Sequence, residues 1–151
     1  MSKKLIIVSV SAEVAPFAKA GGVADVARAL PRALKKLNHT IIAVAPLHGS
    51  IDREQYHLKP IAMSIPIEID ERATRTADFW QGELGPGLPV YFIDNHKYFS
   101  SHKHIYGTSY QNTRYYFFDV AVFTLLRLLN ISPDILHCHD WHAGLIPELL
   151  N

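Results

Sequence analysis

Two short stretches of this chain carry residues whose types and spacing could do chemistry. The first is Lys19-Ala-Gly21-Gly22-Val-Ala-Asp25. Paired glycines let backbone N–H groups come close to an anion, and the N-terminus of a helix behind them carries partial positive charge. Lys19 adds a full charge at the lip, so the stretch reads as a diphosphate cradle. The same residues also fit a plain tight turn with a surface lysine, and Asp25 fits the first turn of any helix, where a carboxylate is favourable. The pattern is not Gly-x-Gly-x-x-Gly, which disfavours a nicotinamide cofactor, and it lacks the Gly-Lys-Ser/Thr of a P-loop.

The second stretch is His137-Cys-His139-Asp140-Trp141-His142, with three His and one Asp in six residues. Three chemistries compete for it. A metal site would need the His-x-His-x-Asp-His order of metallo-β-lactamase-like hydrolases. Here Asp140 arrives one residue early, and a one-residue shift at a strand end moves a side chain to the other face. Alternatively, His137 and Cys138 fill core and the rest is loop. In the third reading the block is a polar sugar-binding edge, where Asp140 and His142 hydrogen-bond hydroxyls and Trp141 packs or stacks.

Both stretches need elements to aim them. Leu5–Val10 is continuously apolar and β-branched, as a central parallel strand covered on both faces would be. Val23, Val26, Ala27, Leu30, Leu34 and Leu37 follow at helical spacing, with Pro31 expected to kink that helix and Lys35 and Lys36 favourable at its C-terminal end. Thr40–Ala45 reads as a second buried strand, completing a βαβ unit expected to be right-handed. Ile61–Ile69, Thr74–Glu83 and Val90–Ile93 read as strands with at least one hairpin, and Tyr98–Asn112 as irregular. Thr113–Leu129 is a helix apolar almost all round, which requires deep burial or a covering domain. Ile135–Cys138 is a short strand, and a last helix is expected to start near Ala143. Both chemical stretches therefore leave the carboxyl ends of parallel strands, where ligands bind in doubly wound sheets.

The bulk numbers bound the rest. At 151 residues and 48% hydrophobic, the chain fits one α/β domain, 1–151. Lys+Arg 15 against Asp+Glu 14 leaves no clustered basic excess for nucleic acid. The one cysteine, Cys138, cannot form an internal disulfide and fits a reducing, cytoplasmic setting. No run reaches the roughly 18 apolar residues of a membrane span, and the Lys3-Lys4 start with its short apolar run reads as a first strand, not a signal peptide. No membrane partner is therefore expected.

Taken in series, the motifs resemble the glycogen and starch synthases, glycosyltransferase family 5. The matching residues are Ser11-Ala-Glu13, Pro16, Lys19 to Val26, Ala29-Leu30-Pro31, Asp94-Asn95, Tyr98-Phe99, Tyr106-Gly107, Arg114 to Phe118, and Pro133-Asp134 through Leu145. Ala20 stands where the family more often has Thr or Val, and Arg28 where it often has Gly. The resemblance implies the incomplete N-terminal, Rossmann-like half of a GT-B type glycosyltransferase, truncated before the C-terminal donor-binding domain. That absent half would carry an Arg/Lys pair for phosphate and a Glu near the glucose, and a further His after the Asp-Trp-His block would be lost with it. The chain breaking off about two turns into its last helix, with Leu145, Ile146, Leu149 and Leu150 needing cover, fits that expectation.

The resemblance further implies a retaining glucosyltransferase moving glucose from ADP-glucose or UDP-glucose to the non-reducing end of an α-1,4-glucan, with no metal and no cofactor beyond the nucleotide-sugar substrate. Lys19, Gly21, Gly22 and Asp25 would bind the donor, and Glu13, Asp140, Trp141 and His142 would line the sugar subsites. A second chain supplying the C-terminal domain is an expected partner, as is self-association through the uncovered last helix. Alone, the chain is expected to be inactive. The alternative is a stand-alone non-catalytic module that binds glucan or a partner.

Overall fold

The computed structural model describes residues 3–151. Six strands form one sheet: β1 (Ile6–Val10), β2 (Thr40–Pro46), β3 (Lys59–Asp70), β4 (Ala73–Gly85), β5 (Leu88–Asp94) and β6 (Ile135–Cys138). Their order across the sheet is β3-β4-β5-β2-β1-β6. β5, β2, β1 and β6 run parallel, in register from Ile7 opposite Ile41 on one side and Ile135 on the other. β3, β4 and β5 form the antiparallel meander, its turns at Glu71-Arg72 and Pro86-Gly87. The sheet is thus mixed, with a parallel half that carries both chemical stretches and a hairpin half that extends it.

Alternation along each strand explains the two cores. Val8, Val10, Ile42, Val44 and Ile93 face α2 (Gln111–Leu128), whose Phe117, Phe118, Val122 and Leu125 are fully buried against them. Ile7, Ile41, Ala43, Val90 and Phe92 face the other way, toward α1 (Gly22–Lys36) and the loop side chains Phe17 and Leu47. The result is a three-layer α/β domain with a helix on each face. The all-round apolar helix expected from Thr113 is α2, and its burial is supplied largely within this chain.

Two expectations need correction. The apolar stripe of α1 is rotated: Val26 and Leu37 are 49% and 65% exposed, while Ala24, Ala27 and Pro31 are buried. Those three lie at i, i+3 and i+7, and their small side chains let the helix sit close on the sheet. α1 is continuous through Pro31. The helix expected from Ala143 is instead a 3-10 turn, Trp141–Ala143, followed by the single-turn α3 (Ile146–Leu149). Ile146 is buried in the α2-side core, whereas Leu145 and Leu150 are 43% and 60% exposed. No helix among the described residues is long and apolar enough to cross a membrane.

Candidate functional site

Parallel pairing of β1 with β6 brings their carboxyl ends side by side, and the loops that leave them meet above the sheet edge. A cavity of about 420 Å³ opens there, lined on one wall by Glu13, Gly21, Gly22 and Val23 and on the other by Asp140, Trp141 and His142. Tyr106 and Gln111 close it from the segment ahead of α2. Lys19 and Asp25 stand outside the lining, on the exposed rim, paired at 2.7 Å with side chains 53% and 58% exposed.

The glycine loop is held from within. Glu13 is 2% exposed, and its Oε2 accepts the backbone N–H groups of Ala20 and of Gly21, the latter at 3.1 Å. Gly21 is the residue ahead of α1, and no side chain caps that helix terminus. The first N–H groups of a helix have no partner inside it, so Gly22 and Val23 present amides with no side-chain acceptor to the cavity. Neither glycine is demanded by its own surroundings. Gly21 is extended, at φ −148°, a conformation open to any residue. A Cβ on Gly22 would meet nothing within 4 Å, and one on Gly21 would make only an ordinary 3.5 Å contact with Glu13. The missing side chains leave room against an uncapped, partially positive helix end.

The opposite wall stores backbone strain. Asp140 takes φ 59° and ψ −176°, a region nearly reserved for glycine and worth roughly 1–3 kcal/mol of cost elsewhere. This turn drives Trp141 out, to 56% exposure, and His142 in, to 5%. His142 is stacked on Tyr106 at 4.8 Å and set edge-on to Tyr115 at 4.7 Å. Burial holds the His142 imidazole below its ordinary range, opposed by the carboxylates of Asp140 and Glu13. Its buried Nε2 has no protein partner. Burial, with Glu13 nearby, likewise keeps the Tyr106 phenol firmly protonated, and Tyr115 is pushed up to about 12.

The three histidines of the sequence block do not converge. His137 and His139, two apart on one face of the strand end, stack at 4.3 Å, and His139 bonds the Ser9 hydroxyl at 3.1 Å. His142 lies with the tyrosines instead. Among the described residues, no group of three or more His, Cys, Asp or Glu is placed to hold a metal ion.

Support comes from behind. Arg114 is 1% exposed and has no carboxylate partner among the described residues; its Nη1 donates to Ile105 O at 3.3 Å and Thr108 Oγ1 at 2.6 Å, tethering the segment that carries Tyr106. Its guanidinium lies over the Phe99 ring at 4.9 Å. Gly107, at φ +75°, needs glycine to make the turn beside Tyr106. Asp119 accepts the Leu145 N–H at 3.1 Å, tying the strand-end block to α2, while its Oδ1 is buried without a partner. In the sequence, Tyr106 and Arg114 stand out only as parts of matched stretches, and Gln111 and Asp119 do not stand out at all. The tyrosine–glycine pair and the arginine ahead of an aromatic run were the available signals; a glutamine and an aspartate in a helix pattern offered none.

Residues 6–151 match the sequence family described as the starch synthase catalytic domain. The chain is 41% identical over 152 residues to a glycogen synthase of Moorella thermoacetica, covering 99% of this chain and 30% of that protein. It is 39% identical over 149 residues to a glycogen synthase of Geotalea uraniireducens, covering 95% and 30%. Among solved structures, the catalytic domain of starch synthase IV from Arabidopsis thaliana, bound to ADP and acarbose, superposes with a TM-score of 0.86 at 29% identity, over 97% of this chain and 30% of that one. The chain thus spans about 30% of the length of the relatives it matches.

Proposed function

The chain belongs to the starch synthase catalytic-domain family, and from that premise we propose that it forms one wall of a retaining glucosyltransferase cleft, gripping the diphosphate of ADP-glucose or UDP-glucose and the sugars that react beside it. One observation carries the reading. Two glycines with no backbone or packing reason to be glycine sit at an uncapped helix N-terminus, across a 420 Å³ cavity from the strained Asp140–His142 turn.

In this reading the amides of Gly22 and Val23 donate to the diphosphate oxygens, and Lys19 adds charge from the rim. As the glucosyl bond to phosphate breaks, negative charge grows on the departing nucleotide, and donors already aimed at it stabilise the transition state without reorganising. Asp25 holds Lys19 at the lip. Across the cavity, Asp140 and His142 meet sugar hydroxyls, the neutral imidazole offering both a donor and an acceptor. Trp141 gives the non-reducing end of an α-1,4-glucan an exposed apolar face to rest on. Turnover requires donor, acceptor and departing nucleotide to be placed together, so a second domain must close the cleft from the other side. No metal and no cofactor enter this scheme, and a cytoplasmic setting accords with the nucleotide-sugar donor.

The test is reconstitution. The chain is mixed with a polypeptide corresponding to the remaining part of a 41%-identical relative, and glucose transfer to glycogen is measured with each donor. Transfer that depends on both chains and falls with Lys19→Ala supports the reading. Tight glucan binding by this chain alone, unaffected by nucleotide sugars, would contradict it.

A further inference from the structure

The position of Glu13 does not fit a residue that only meets sugars. It lines the cavity, yet it is 2% exposed and its Oε2 is occupied by the amides of Ala20 and Gly21. Its backbone is pinned as firmly as its side chain. Ser11 N donates to Val44 O at 3.0 Å, and the Ser11 hydroxyl donates to Glu13 O at 2.8 Å. The buried His48 contacts Ala12 O through Nε2 at 2.7 Å. His48 is pushed down to about 4 by burial, so its ring is neutral, and the nitrogen facing a carbonyl must carry the proton. Glu13 is therefore a rigid strut from the end of β1 and β2 to the glycine loop.

We propose that Glu13 is a positioning residue for the Lys-x-Gly-Gly loop: its buried carboxylate holds the Ala20–Gly21 turn from inside and thereby aims the amides of Gly22 and Val23, which line the cavity. The part of this that concerns a ligand rests on the proposed diphosphate reading; the anchoring itself does not. Two physical consequences follow. Reach matters, because a shorter side chain from the same pinned backbone leaves both amides without their acceptor. Charge matters in the opposite sense, because a carboxylate at the positive end of α1 competes with an incoming anion for the same field. The glutamine variant keeps an acceptor oxygen and removes the charge. The alanine and aspartate variants lose the strut.

Amide hydrogen exchange on the full 151-residue chain separates these effects. Glu13→Ala and Glu13→Asp should speed exchange at Ala20 and Gly21 by roughly ten- to a hundredfold, as expected for a lost bond to a charged acceptor. Core amides such as Val8 and Val44 should be unchanged, and Glu13→Gln should keep most of the protection. Pyrophosphate, followed by amide shifts at Gly22 and Val23, should bind Glu13→Gln at least as tightly as the unmodified chain and Glu13→Ala several-fold more weakly. Unchanged protection at Ala20 and Gly21 in Glu13→Ala overturns the proposal. So does a uniform loss in all three variants that extends to Val8 and Val44. Should Glu13→Ala fail to fold, the other two variants decide: Glu13→Asp must lose the protection of Ala20 and Gly21 that Glu13→Gln keeps, and equal protection in the two overturns the anchoring. If pyrophosphate moves no amide at Gly22 and Val23, the diphosphate reading fails while the exchange result still judges Glu13.

Discussion

Replacing Asp119 by Asn should make the domain more stable at neutral pH and change little in acid. Asp119 is 1% exposed, has one oxygen on the Leu145 N–H and the other without a partner, and burial pushes its carboxyl from 3.8 up to about 7. The folded state therefore holds a proton that the unfolded chain releases. Stability from this group is fully present below 3.8 and is lost as pH rises through about 7. Each pH unit in that window costs about 1.4 kcal/mol, so the total approaches about 4 kcal/mol. Asn keeps an acceptor for Leu145 and does not ionise. The quantity to measure is the difference in unfolding free energy between Asp119→Asn and the unmodified chain, from urea titrations followed by tryptophan fluorescence at pH 3.5 to 8. Taking the difference cancels every other titrating group. It should climb by several kcal/mol between pH 4 and 7 and then level off. A flat difference would refute the reasoning, since it would mean that Asp119 is solvated or partnered in the folded state.

His48 supplies the opposing slope. Its pKa falls from 6.5 to about 4, so stability from this group is present above 6.5 and lost as pH drops toward 4; the deficit of His48→Gln should shrink by about 1.4 kcal/mol per pH unit on acidification through that window in the same titrations. Lys19→Ala should lower stability by less than about 1 kcal/mol, because its ion pair with Asp25 is more than half exposed, while abolishing pyrophosphate-induced shifts at Gly22 and Val23. The chain by itself should transfer no glucose from radiolabelled ADP-glucose to glycogen, because placing the reactants supplies roughly 7–11 kcal/mol of such barriers and needs both walls of the cleft; turnover above that of Lys19→Ala would refute this. Self-association in sedimentation experiments should weaken with Ile135→Lys and Leu150→Lys, which place charge on the open β6 edge and the exposed end of α3, where these residues are 42% and 60% exposed.

Much of the architecture was legible in the order of residues. The apolar runs of β1 and β2, interrupted only by Ser9 and opened by Thr40, demand cover on both faces, and that implies a parallel sheet between helices. Once β1 and β6 are parallel, the Lys19–Asp25 and His137–His142 stretches must leave the same edge, so the pairing of the two site walls was also implied by sequence. Periodicity could not say which face of α1 is buried, because Val26 and Ala27 both lie on a helical stripe and only the sheet's shape selects the small residues for contact. Nor could it say that Glu13 spends its carboxylate on the loop's own amides, that the histidines part into a stacked pair and a tyrosine partner, or that Asp119 and Arg114 are buried titratable groups with no ion-pair partner among the described residues. Each of those depends on distances between residues far apart in the chain, and on the desolvation that follows from packing. Residue order determines which groups are available at the sheet edge; only the tertiary structure decides which of them touch, and therefore which remain free to meet a ligand.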